Sequence, residues 1–597
     1  LLSKNAEDRY QSAYGLKHDL ERCLEQWQTA GQIEPFALGK QDVSSRFQIP
    51  QKLYGREKEM DILQTAFERV TRGSSEIALV SGHPGVGKSA LVREMYKPIT
   101  RERGYFITGK FEQFQRDNPY ASILQAFRDL IRQLLTESQE EIEVWRRKLL
   151  SALGPNGRLI IDIISEVELI IGPQPPITEL APTEAQNRFR LTLQSFIRLF
   201  AQPEHPLTIF LDDLQWADTP SIKLIQLLMI DVRTPHLFII GAYRDNEPSE
   251  LHTLRGMIQT LQDGGAQLHD IKLQPLTLSF VQQFTADALQ APAADVGRLA
   301  ELVLAKTGGI PFFVGEFLKS LYVDEFLTFD PLSGRWKWDV AQIQQLSITD
   351  NVVELLSGTV RKLNPETQQI LQLAACIGNK FELHTLALTA EMDNAEAAVL
   401  LWPAITEGLI VPLSDAYKLV ALNVDGVADV LQVYYKFAHD RVQQAIYQLI
   451  SEDAKQKQHL EIGRLLLQKY PADKQGNRLF AIVNQLNKGL DLITDKTEKR
   501  DILRLNLRAA RRAKDAAAYE SAYVYSRTAL MLAGEDELWG QDYALALELN
   551  TQAIETAYMA ADFEEMERLA EQTLKQTKDN PLDAAPIYAV LIQAGLA

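Results

Sequence analysis

The 597-residue sequence is poor in cysteine and histidine and has no long uninterrupted apolar run. Its two cysteines, Cys23 and Cys376, are too few for a disulfide framework, which indicates a reducing compartment and a cytoplasmic location. None of its nine histidines stands at zinc-ligand spacing from a cysteine, so we expect no structural metal. Acidic residues interrupt even the apolar stretch LIIDIISEVELIIG, and the sequence therefore predicts no membrane-spanning helix.

Positive charge is also in short supply. The sequence has 62 Lys and Arg residues against 79 Asp and Glu residues, a formal net charge of −17. This excess of acid argues against non-specific binding to nucleic acid or to an anionic membrane. The start of the chain has neither an initiator Met nor a signal-peptide layout, and a helical pattern runs to its end, so we expect a segment of a longer protein.

The stretch LVSGHPGVGKSAL, residues 79–91, fits the phosphate-binding pattern G-x-x-x-x-G-K-[ST]. Its glycines let successive backbone N–H groups surround a polyphosphate, at the positive end of the helix that follows. Lys88 would reach the β- and γ-phosphates, and the Ser89 hydroxyl would bind Mg²⁺. We therefore expect ATP or ADP and Mg²⁺ as cofactors. The loop residues expected to bind the nucleotide are Gly82, His83, Pro84, Gly85, Val86, Gly87, Lys88, Ser89 and Ala90.

Two further apolar runs end in charged residues that suit the same chemistry. The run in PLTIFLDDLQWAD ends in Asp212, expected to hold Mg²⁺, and Asp213, expected to orient the attacking water. The run in HLFIIGAYRDNEP delivers Arg244 to the carboxyl edge of the predicted parallel sheet, where ligands bind. Paired aspartates that only cap a strand, and an arginine on the protein rim, are the structural alternatives. The candidate catalytic residues are Lys88, Asp212, Asp213 and Arg244.

Strand-like and helical runs alternate from Tyr54 to about Gln274, which predicts an α/β layered domain. Beyond Leu276 the pattern is mainly helical, except for a hairpin signature in FLTFDPLSGRWKW. Near the end, AYESAYVYSRTAL and DFEEMERLAEQTL resemble each other at an offset of 44 residues, from Tyr519 to Phe563. This spacing favours an irregular array of helical hairpins over two unrelated amphipathic helices.

Together, YGREKEMDIL, the phosphate-binding loop, FLDDLQWAD, GAYRDNE and TGGIPFFVGEF resemble the STAND signal-transduction ATPases, relatives of the AAA-type fold. The resemblance spans residues 51–450. The stretches GKFEQFQRDNPYASILQAFRDLIRQLL and APTEAQNRFR look like the ATPase module of large bacterial hybrid kinases. In those proteins a serine/threonine kinase precedes the ATPase, and helical repeats, a GAF domain and a histidine kinase follow it.

The opening stretch KNAEDRYQSAYGLKHDL resembles the end of a protein-kinase lobe, whose arginine, here Arg9, pairs with a glutamate of the activation segment. The H-R-D and D-F-G kinase motifs are absent from this sequence. Any protein kinase activity is therefore expected from flanking domains.

The resemblance also implies further nucleotide contacts. It places Gly55 and Arg56 beside the adenine, and Gly309 and Pro311 in a helical lid that closes over the base. In KFAHDRVQQAIY, which resembles a winged-helix segment, His439 would contact the β-phosphate of ADP. Plain structural roles for the GGIPFF turn and for this histidine are the alternatives.

We therefore predict a multidomain protein with an α/β P-loop NTPase core built on a parallel sheet, a helical lid, a winged-helix domain and an α-helical TPR-like array. The expected parts are a kinase-lobe tail (1–30), a linker (31–50), the core (51–274), the lid with its hairpin (275–345), the winged-helix domain (346–450) and the array (451–597).

The expected function is a regulatory switch that binds ATP, hydrolyses it slowly, and senses a protein partner or stimulus through the helical array. A nucleotide-dependent oligomer is compatible with this function. A nucleotide-holding scaffold without turnover is an alternative, because Asp213 stands where relatives more often have Glu. A transcription regulator is a weaker alternative, since residues 353–391 contain three basic and four acidic side chains, a poor surface for DNA.

Overall fold

The computed structural model shows an α/β core followed by three mainly helical units. A first helix, α1 (Ala13–Ala30), precedes the core. The Arg9 prediction falls outside the described residues. The structure describes residue 10 and residues 13–38, 47–112, 118–178, 182–230, 234–245, 252–331, 333–344, 352–414, 417, 433–470, 478–534, 537–577 and 580–596.

The core is a five-stranded sheet in the order β2-β3-β4-β1-β5, and every neighbouring pair is parallel. Its inner strands are buried along nearly their whole length, as expected of apolar runs covered on both faces. All carboxyl ends therefore meet at one edge. The strands are β1 (Ser75–Ser81), β2 (Tyr105–Lys110), β3 (Leu207–Asp212), β4 (Leu237–Tyr243) and β5 (Gln267–Lys272).

Helices cover both faces of this sheet. One face carries an apolar cluster that includes Phe67 and Phe238, and the other carries a larger cluster around Phe127, Phe196 and Phe200. The core helices are α2 (Glu57–Thr71), α3 (Lys88–Glu94), α4 (Tyr96–Arg101), α5 (Ala121–Leu134), α6 (Gln139–Leu153), α7 (Gly157–Ile163), α8 (Glu168–Ile171), α9 (Pro182–Phe200), α10 (Thr219–Ile230) and α11 (His252–Asp263). The α/β layered domain predicted from the alternating pattern is confirmed, as is the P-loop NTPase fold predicted from the glycine-rich loop and the resemblance.

The lid has its own apolar core, around Phe284 and Phe317, and carries the predicted hairpin. Phe47, in the segment expected to be a linker, stacks on Tyr322 of the lid with ring centroids 5.1 Å apart. The end of that segment is therefore anchored. The lid elements are α12 (Leu278–Leu289), α13 (Gly297–Thr307), α14 (Pro311–Val323), β6 (Leu327–Asp330), β7 (Arg335–Trp338) and α15 (Val340–Gln344).

The next unit has the winged-helix arrangement that the resemblance implies. Helices pack on a small antiparallel sheet in the order β8-β10-β9. Local signals start its helices: Asn364 caps one, and Asp393 with Glu396 forms a capping box for another. The elements are α16 (Val352–Lys362), α17 (Pro365–Ile377), β8 (Lys380–Glu382), α18 (Leu383–Thr389), α19 (Asn394–Thr406), β9 (Ile410–Pro412), β10 (Tyr434–Phe437) and α20 (Asp440–Gln448).

The last unit is helical throughout its described residues, as predicted. The two similar stretches each form the second helix of a hairpin, and each follows an alanine in the left-handed region, Ala517 (φ 55°) and Ala561 (φ 60°). The helices are α21 (Glu452–Lys469), α22 (Leu479–Asn487), α23 (Lys496–Asp515), α24 (Tyr519–Ala533), α25 (Glu537–Gln541), α26 (Tyr543–Met559), α27 (Phe563–Gln576) and α28 (Pro581–Leu596).

Among the described residues, no helix combines the length and the apolar character needed to cross a membrane.

Candidate nucleotide-binding site

The phosphate-binding loop joins β1 to α3 in a conformation that needs glycine. Gly82, Gly85 and Gly87 have φ angles of 147°, 82° and 103°, where a side chain would be strained. Gly87 is the residue before α3, and a Cβ added to it would meet no atom within 4 Å. The loop thus leaves open space directly in front of a helix N-terminus, which suits an anion.

Lys88 is buried against this loop. Its ammonium donates hydrogen bonds to the carbonyl oxygens of Gly82 (2.8 Å) and His83 (3.1 Å). Burial lowers the pKa of Lys88 to about 8, while the carboxylates of Asp212 and Asp213 act in the opposite direction. The Lys88 side chain therefore stays mostly cationic at neutral pH. The two uncharged carbonyl groups hold its ammonium beside the open space in front of α3.

The predicted metal ligands meet at the edge of the sheet. Ser89, in the first turn of α3, donates a 2.7 Å hydrogen bond to Asp212 Oδ2 at the end of β3. A hydroxyl and a carboxylate in contact form the oxygen-rich pair that Mg²⁺ prefers. Among the described residues, no cluster of three or more His, Cys, Asp or Glu side chains could hold a metal ion without other ligands. A metal here would thus take ligands from the nucleotide and water too.

Asp213 is buried and already engaged. Its Oδ1 accepts hydrogen bonds from Gln215 Nε2 (2.9 Å) and Arg244 Nε (3.2 Å). Burial raises the pKa of Asp213 to about 7, and the nearby carboxylates of Asp212 and Asp440 act in the same direction. This aspartate is therefore poised to exchange a proton near neutral pH.

Arg244 directly follows β4, as the sequence predicts, and is fixed on several sides. Its side chain is 5% exposed and lies over the Trp216 ring, 4.4 Å from the ring centroid. Besides Asp213, it donates to Asp440 Oδ2 at 3.3 Å. Arg244 thus joins the core to the winged-helix unit.

Asp440, the first residue of α20, places a carboxylate of the winged-helix unit at the carboxyl edge of the core sheet. It accepts a short hydrogen bond from Lys110, at the end of β2, and one of 2.7 Å from Asn379 Nδ2. Burial alone would raise the pKa of Asp440, but the Lys110 ammonium more than offsets this and holds the pKa well below its usual range. The carboxylate is therefore ionised and neutralises cations of the core.

His439 caps the same helix and faces the cleft. Its ring stacks on Phe312 of α14, with centroids 4.1 Å apart, and its Nδ1 accepts a hydrogen bond from Arg441 N–H (3.1 Å). Burial lowers the pKa of His439 to about 4, so the ring is neutral at physiological pH. Since Nδ1 accepts, the proton resides on Nε2, which leaves an N–H donor.

The residues expected beside the base, Gly55, Arg56 and Gly309, contact the surrounding backbone and side chains closely. Arg56 is buried and donates to the carbonyl oxygens of Val86 (3.3 Å) and Gln274 (2.6 Å). At Gly55 (φ 61°), an added Cβ would lie 2.4 Å from the Phe280 ring. At Gly309 (φ 72°), it would lie 2.3 Å from a lid carbonyl oxygen, so glycine is required at both positions.

These groups surround one cleft of about 760 Å³ between core, lid and winged-helix unit. Four predicted residues, Gly55, Gly82, His83 and Gly309, are not in its wall. The structure brings the other predicted residues together in the lining: Arg56, Pro84, Gly85, Val86, Gly87, Lys88, Ser89, Ala90, Asp212, Asp213, Arg244, Pro311 and His439.

Sequence reasoning missed Lys110, Asn379 and Asp440, which also line the cleft. Lys110 had a usable signal, because it ends an apolar run just as Asp212 does, and the two are paired in register. Asn379 and Asp440 have no comparable local signal.

The residues present fit a nucleotide with Mg²⁺. The loop offers open space at a helix N-terminus, Lys88 lies on neutral carbonyls, and the Ser89–Asp212 pair supplies oxygen ligands. A volume of about 760 Å³ is also in the range of small-molecule sites.

Comparison with known families agrees with this geometry. Residues 52–240 match the family model described as an AAA ATPase domain. Residues 52–240 are thus similar to AAA ATPase domains. Relatives of the chain include hybrid signal transduction histidine kinase G of Dictyostelium discoideum, 30% identical in an alignment that covers 97% of this chain and 20% of that protein.

A second relative is the peroxide stress-activated histidine kinase mak3 of Schizosaccharomyces pombe, 22% identical over 72% of this chain and 22% of that protein. The chain thus spans about a fifth of the length of the curated relatives it matches. The bacterial setting and the kinase lobe implied by the resemblance stay predictions.

The solved structures to which the chain is similar include a STAND protein with a tetratricopeptide repeat sensor from Pyrococcus horikoshii. It is 13% identical, with a TM-score of 0.41, over 92% of this chain and 68% of that chain. A Walker-type ATPase of Pyrococcus abyssi is 17% identical, with a TM-score of 0.30, over 67% of this chain and 97% of that chain.

Proposed function

We propose that this chain is an ATP-binding, slowly hydrolysing switch within a signal-transducing kinase. The observation that carries the proposal is the convergence of three units on one cleft. Lys88 comes from the phosphate-binding loop, Pro311 from the lid and His439 from the winged-helix unit. A ligand held by all three would control how these units pack together.

The chemistry at the sheet edge supports hydrolysis. Mg²⁺, when bound by Ser89 and Asp212, would offset charge on the transferring phosphate. Asp213, with its raised pKa, would accept a proton from water, and Arg244 would stabilise negative charge. The Nε2–H group of His439 would donate a hydrogen bond to the β-phosphate of ADP.

The link to kinase signalling rests on the relatives, which carry histidine kinase names. In a longer chain of that kind, the helical array would receive a protein partner, and the nucleotide state would pass the signal to flanking kinase domains. Tetratricopeptide-like arrays commonly bind proteins through stacked helices.

Replacing Lys88 tests the site. The Lys88→Ala variant should bind both ATP and ADP about 10- to 100-fold more weakly, since each charge-assisted hydrogen bond contributes about 1.5–3 kcal/mol. Calorimetric titration of the 597-residue chain measures this, with Lys97→Ala as the control because Lys97 is exposed. Equal affinities for Lys88→Ala and the unmodified chain would refute the site.

A scaffold without turnover is the second candidate, and one observation favours it. The hydrogen bonds from Gln215 and Arg244 restrain Asp213, so it is not free to orient water in this arrangement. Phosphate release by the unmodified chain decides between them: nucleotide binding with no phosphate release would favour the scaffold.

A further inference from the structure

Lys110 carries a charge at the sheet edge that the proposed reaction does not use. Its ammonium donates to Asp440 and lies 3.7 Å from Asp213 Oδ2. Asp213 adjoins Asp212, which contacts Ser89 of the phosphate-binding loop. Lys110 therefore lies beside the carboxylates proposed for metal binding and water activation, although it begins from a different strand.

The partner of Lys110 belongs to another unit. Asp440 reaches the core only because the winged-helix unit lies against it, and it is 330 residues away from Lys110 in sequence. The same carboxylate also accepts from Arg244. The Asp440 carboxylate of the winged-helix unit thus pairs with both Lys110, at the end of β2, and Arg244, just after β4.

Of Lys88, Lys110 and Arg244, Lys110 is the most able to change partner. Arg244 is 5% exposed and clamped between Trp216 and Asp213, and Lys88 is buried on the loop carbonyls. The Lys110 side chain is 34% exposed and ends in a compact ammonium on a flexible stem. Its ammonium lies between the carboxylates of Asp440 and Asp213, where a further anion would compete for it.

We propose that Lys110 distinguishes ATP from ADP by exchanging the Asp440 carboxylate for the terminal phosphate. With ADP, Lys110 keeps Asp440 and holds the winged-helix unit against the core. With ATP, Lys110 turns to the additional phosphate, because two anions at one ammonium repel each other. Asp440 then loses the Lys110 ammonium, and the contact between the winged-helix unit and the core weakens. This inference rests on the proposed nucleotide site and assigns its selectivity to one residue.

Calorimetric titrations with ADP and with a non-hydrolysable ATP analogue, both with Mg²⁺, test the exchange. Lys110→Met should weaken binding of the analogue about tenfold or more and change ADP binding less than about threefold, because one charged hydrogen bond is lost only with the analogue. Lys110→Arg keeps the charge and should retain the preference of the unmodified chain. Lys97→Met, which removes an exposed ammonium, is the control.

The Asp440→Asn variant tests the exchange from the other side and leaves Lys110 in place. Removing the competing charge should strengthen binding of the analogue relative to ADP by about tenfold. The same change made together with Lys110→Met should no longer alter that ratio, because the residue through which the competition acts is gone.

The inference is overturned if Lys110→Met weakens both nucleotides equally, or neither, or if Asp440→Asn leaves their ratio unchanged. Its failure is distinct from that of the nucleotide site. If Lys88→Ala binds both nucleotides as the unmodified chain does, the site itself is refuted. If Lys88→Ala loses both while Lys110→Met does not discriminate between them, only the selectivity role of Lys110 fails.

Discussion

Asp213 and Asp212 are adjacent in sequence but differ in environment. Asp212 contacts the Ser89 hydroxyl, whereas Asp213 lies in the left-handed region (φ 56°), turned toward Gln215 and Arg244. Burial raises the pKa of Asp213 to about 7. Two carboxylates with such different surroundings are suited to different tasks, one binding metal and the other exchanging a proton.

Asparagine substitutions separate these tasks. Asp212→Asn should abolish Mg²⁺-dependent phosphate release, because the amide is a poor metal ligand. Asp213→Asn should leave nucleotide affinity within about threefold and slow phosphate release by about 100-fold, the usual contribution of a general base. Phosphate release and calorimetry on both variants measure this. An Asp213→Asn variant that releases phosphate at the unmodified rate would place the base elsewhere.

The raised pKa of Asp213 also sets a pH dependence. A base must be ionised, and below pH 7 the Asp213 carboxyl is increasingly protonated. We therefore expect kcat/KM for ATP hydrolysis to fall as pH is lowered through about 7, with a limb that is absent in Asp213→Asn. A rate that stays constant from pH 8 to pH 5.5 would contradict the assignment.

The sequence predicts part of this site for a simple reason. Asp212, Asp213 and Arg244 each follow a buried apolar run, and the ends of parallel strands meet at one edge. Lys110 also ends a strand, but β2 is only partly buried, and only the sheet order shows that it adjoins β3. Asp440 adjoins His439, which the resemblance placed at the nucleotide, but its contact with Arg244, 196 residues away, arises from packing of separate units and was not predictable.

At the scale of elements, one buried carboxylate ties two helices together. Asp218 precedes α10 and accepts hydrogen bonds from the N–H groups of Ser221 (2.9 Å) and Tyr120 (3.2 Å), and from the Ser221 hydroxyl (2.7 Å). Tyr120 is the residue before α5, so both helices begin at this one side chain. Burial raises the pKa of Asp218 to about 6.

Asp218→Asn should stabilise the core at pH 7.5. Because the folded pKa lies above the ordinary 3.8, ionisation opposes folding: the penalty is absent below pH 4, grows as pH rises to about 6, and reaches about 3 kcal/mol above that. Asn keeps the accepting oxygen without the charge. Thermal unfolding at pH 7.5 and pH 5 should show a gain that shrinks at the lower pH.

Asp218→Ala is the matched control. It leaves the two backbone N–H groups without their acceptor, so at both pH values it should be about 2 kcal/mol less stable than Asp218→Asn, which also lacks the titrating carboxyl. Equal losses for Asn and Ala would show that the charge itself stabilises the helix starts.

In the helical array, replacing alanine by glycine should stabilise a turn but destabilise the interior of a helix. Ala561→Gly relieves a left-handed alanine between α26 and α27, which costs about 1 kcal/mol. Ala589→Gly instead introduces glycine at an exposed position inside α28, at a cost of about 1 kcal/mol. Amide hydrogen exchange should slow about fivefold in α27 for the first and quicken about fivefold in α28 for the second. The same direction in both would contradict the hairpin geometry.

These hairpins were predictable from a local pattern, namely two similar stretches 44 residues apart. The turn alanines obey the same offset, Ala517 and Ala561. The sequence did not reveal that Phe47 packs on the lid, because a single aromatic residue in a polar segment has no periodicity from which to infer burial.

On the scale of the whole molecule, the array touches both parts that the nucleotide site joins. Tyr447 of α20 hydrogen-bonds to His459 of α21 at 3.0 Å, so the helix that begins at the cleft ends on the array. On the other side, Glu520 accepts a 2.6 Å bond from Thr219 of the core. A partner that moves the array would therefore change the packing of the winged-helix unit on the core.

Small-angle scattering of the 597-residue chain, with saturating ADP or a non-hydrolysable ATP analogue and Mg²⁺, tests whether the nucleotide changes the packing of the units. We expect a compact particle with ADP and a larger radius of gyration with the analogue, because Asp440 and His439 release the core in the second case. The Lys88→Ala variant, at the same nucleotide concentrations, should show no such difference. Identical scattering curves for the unmodified chain with the two nucleotides, at concentrations where calorimetry shows both bound, would contradict the switch.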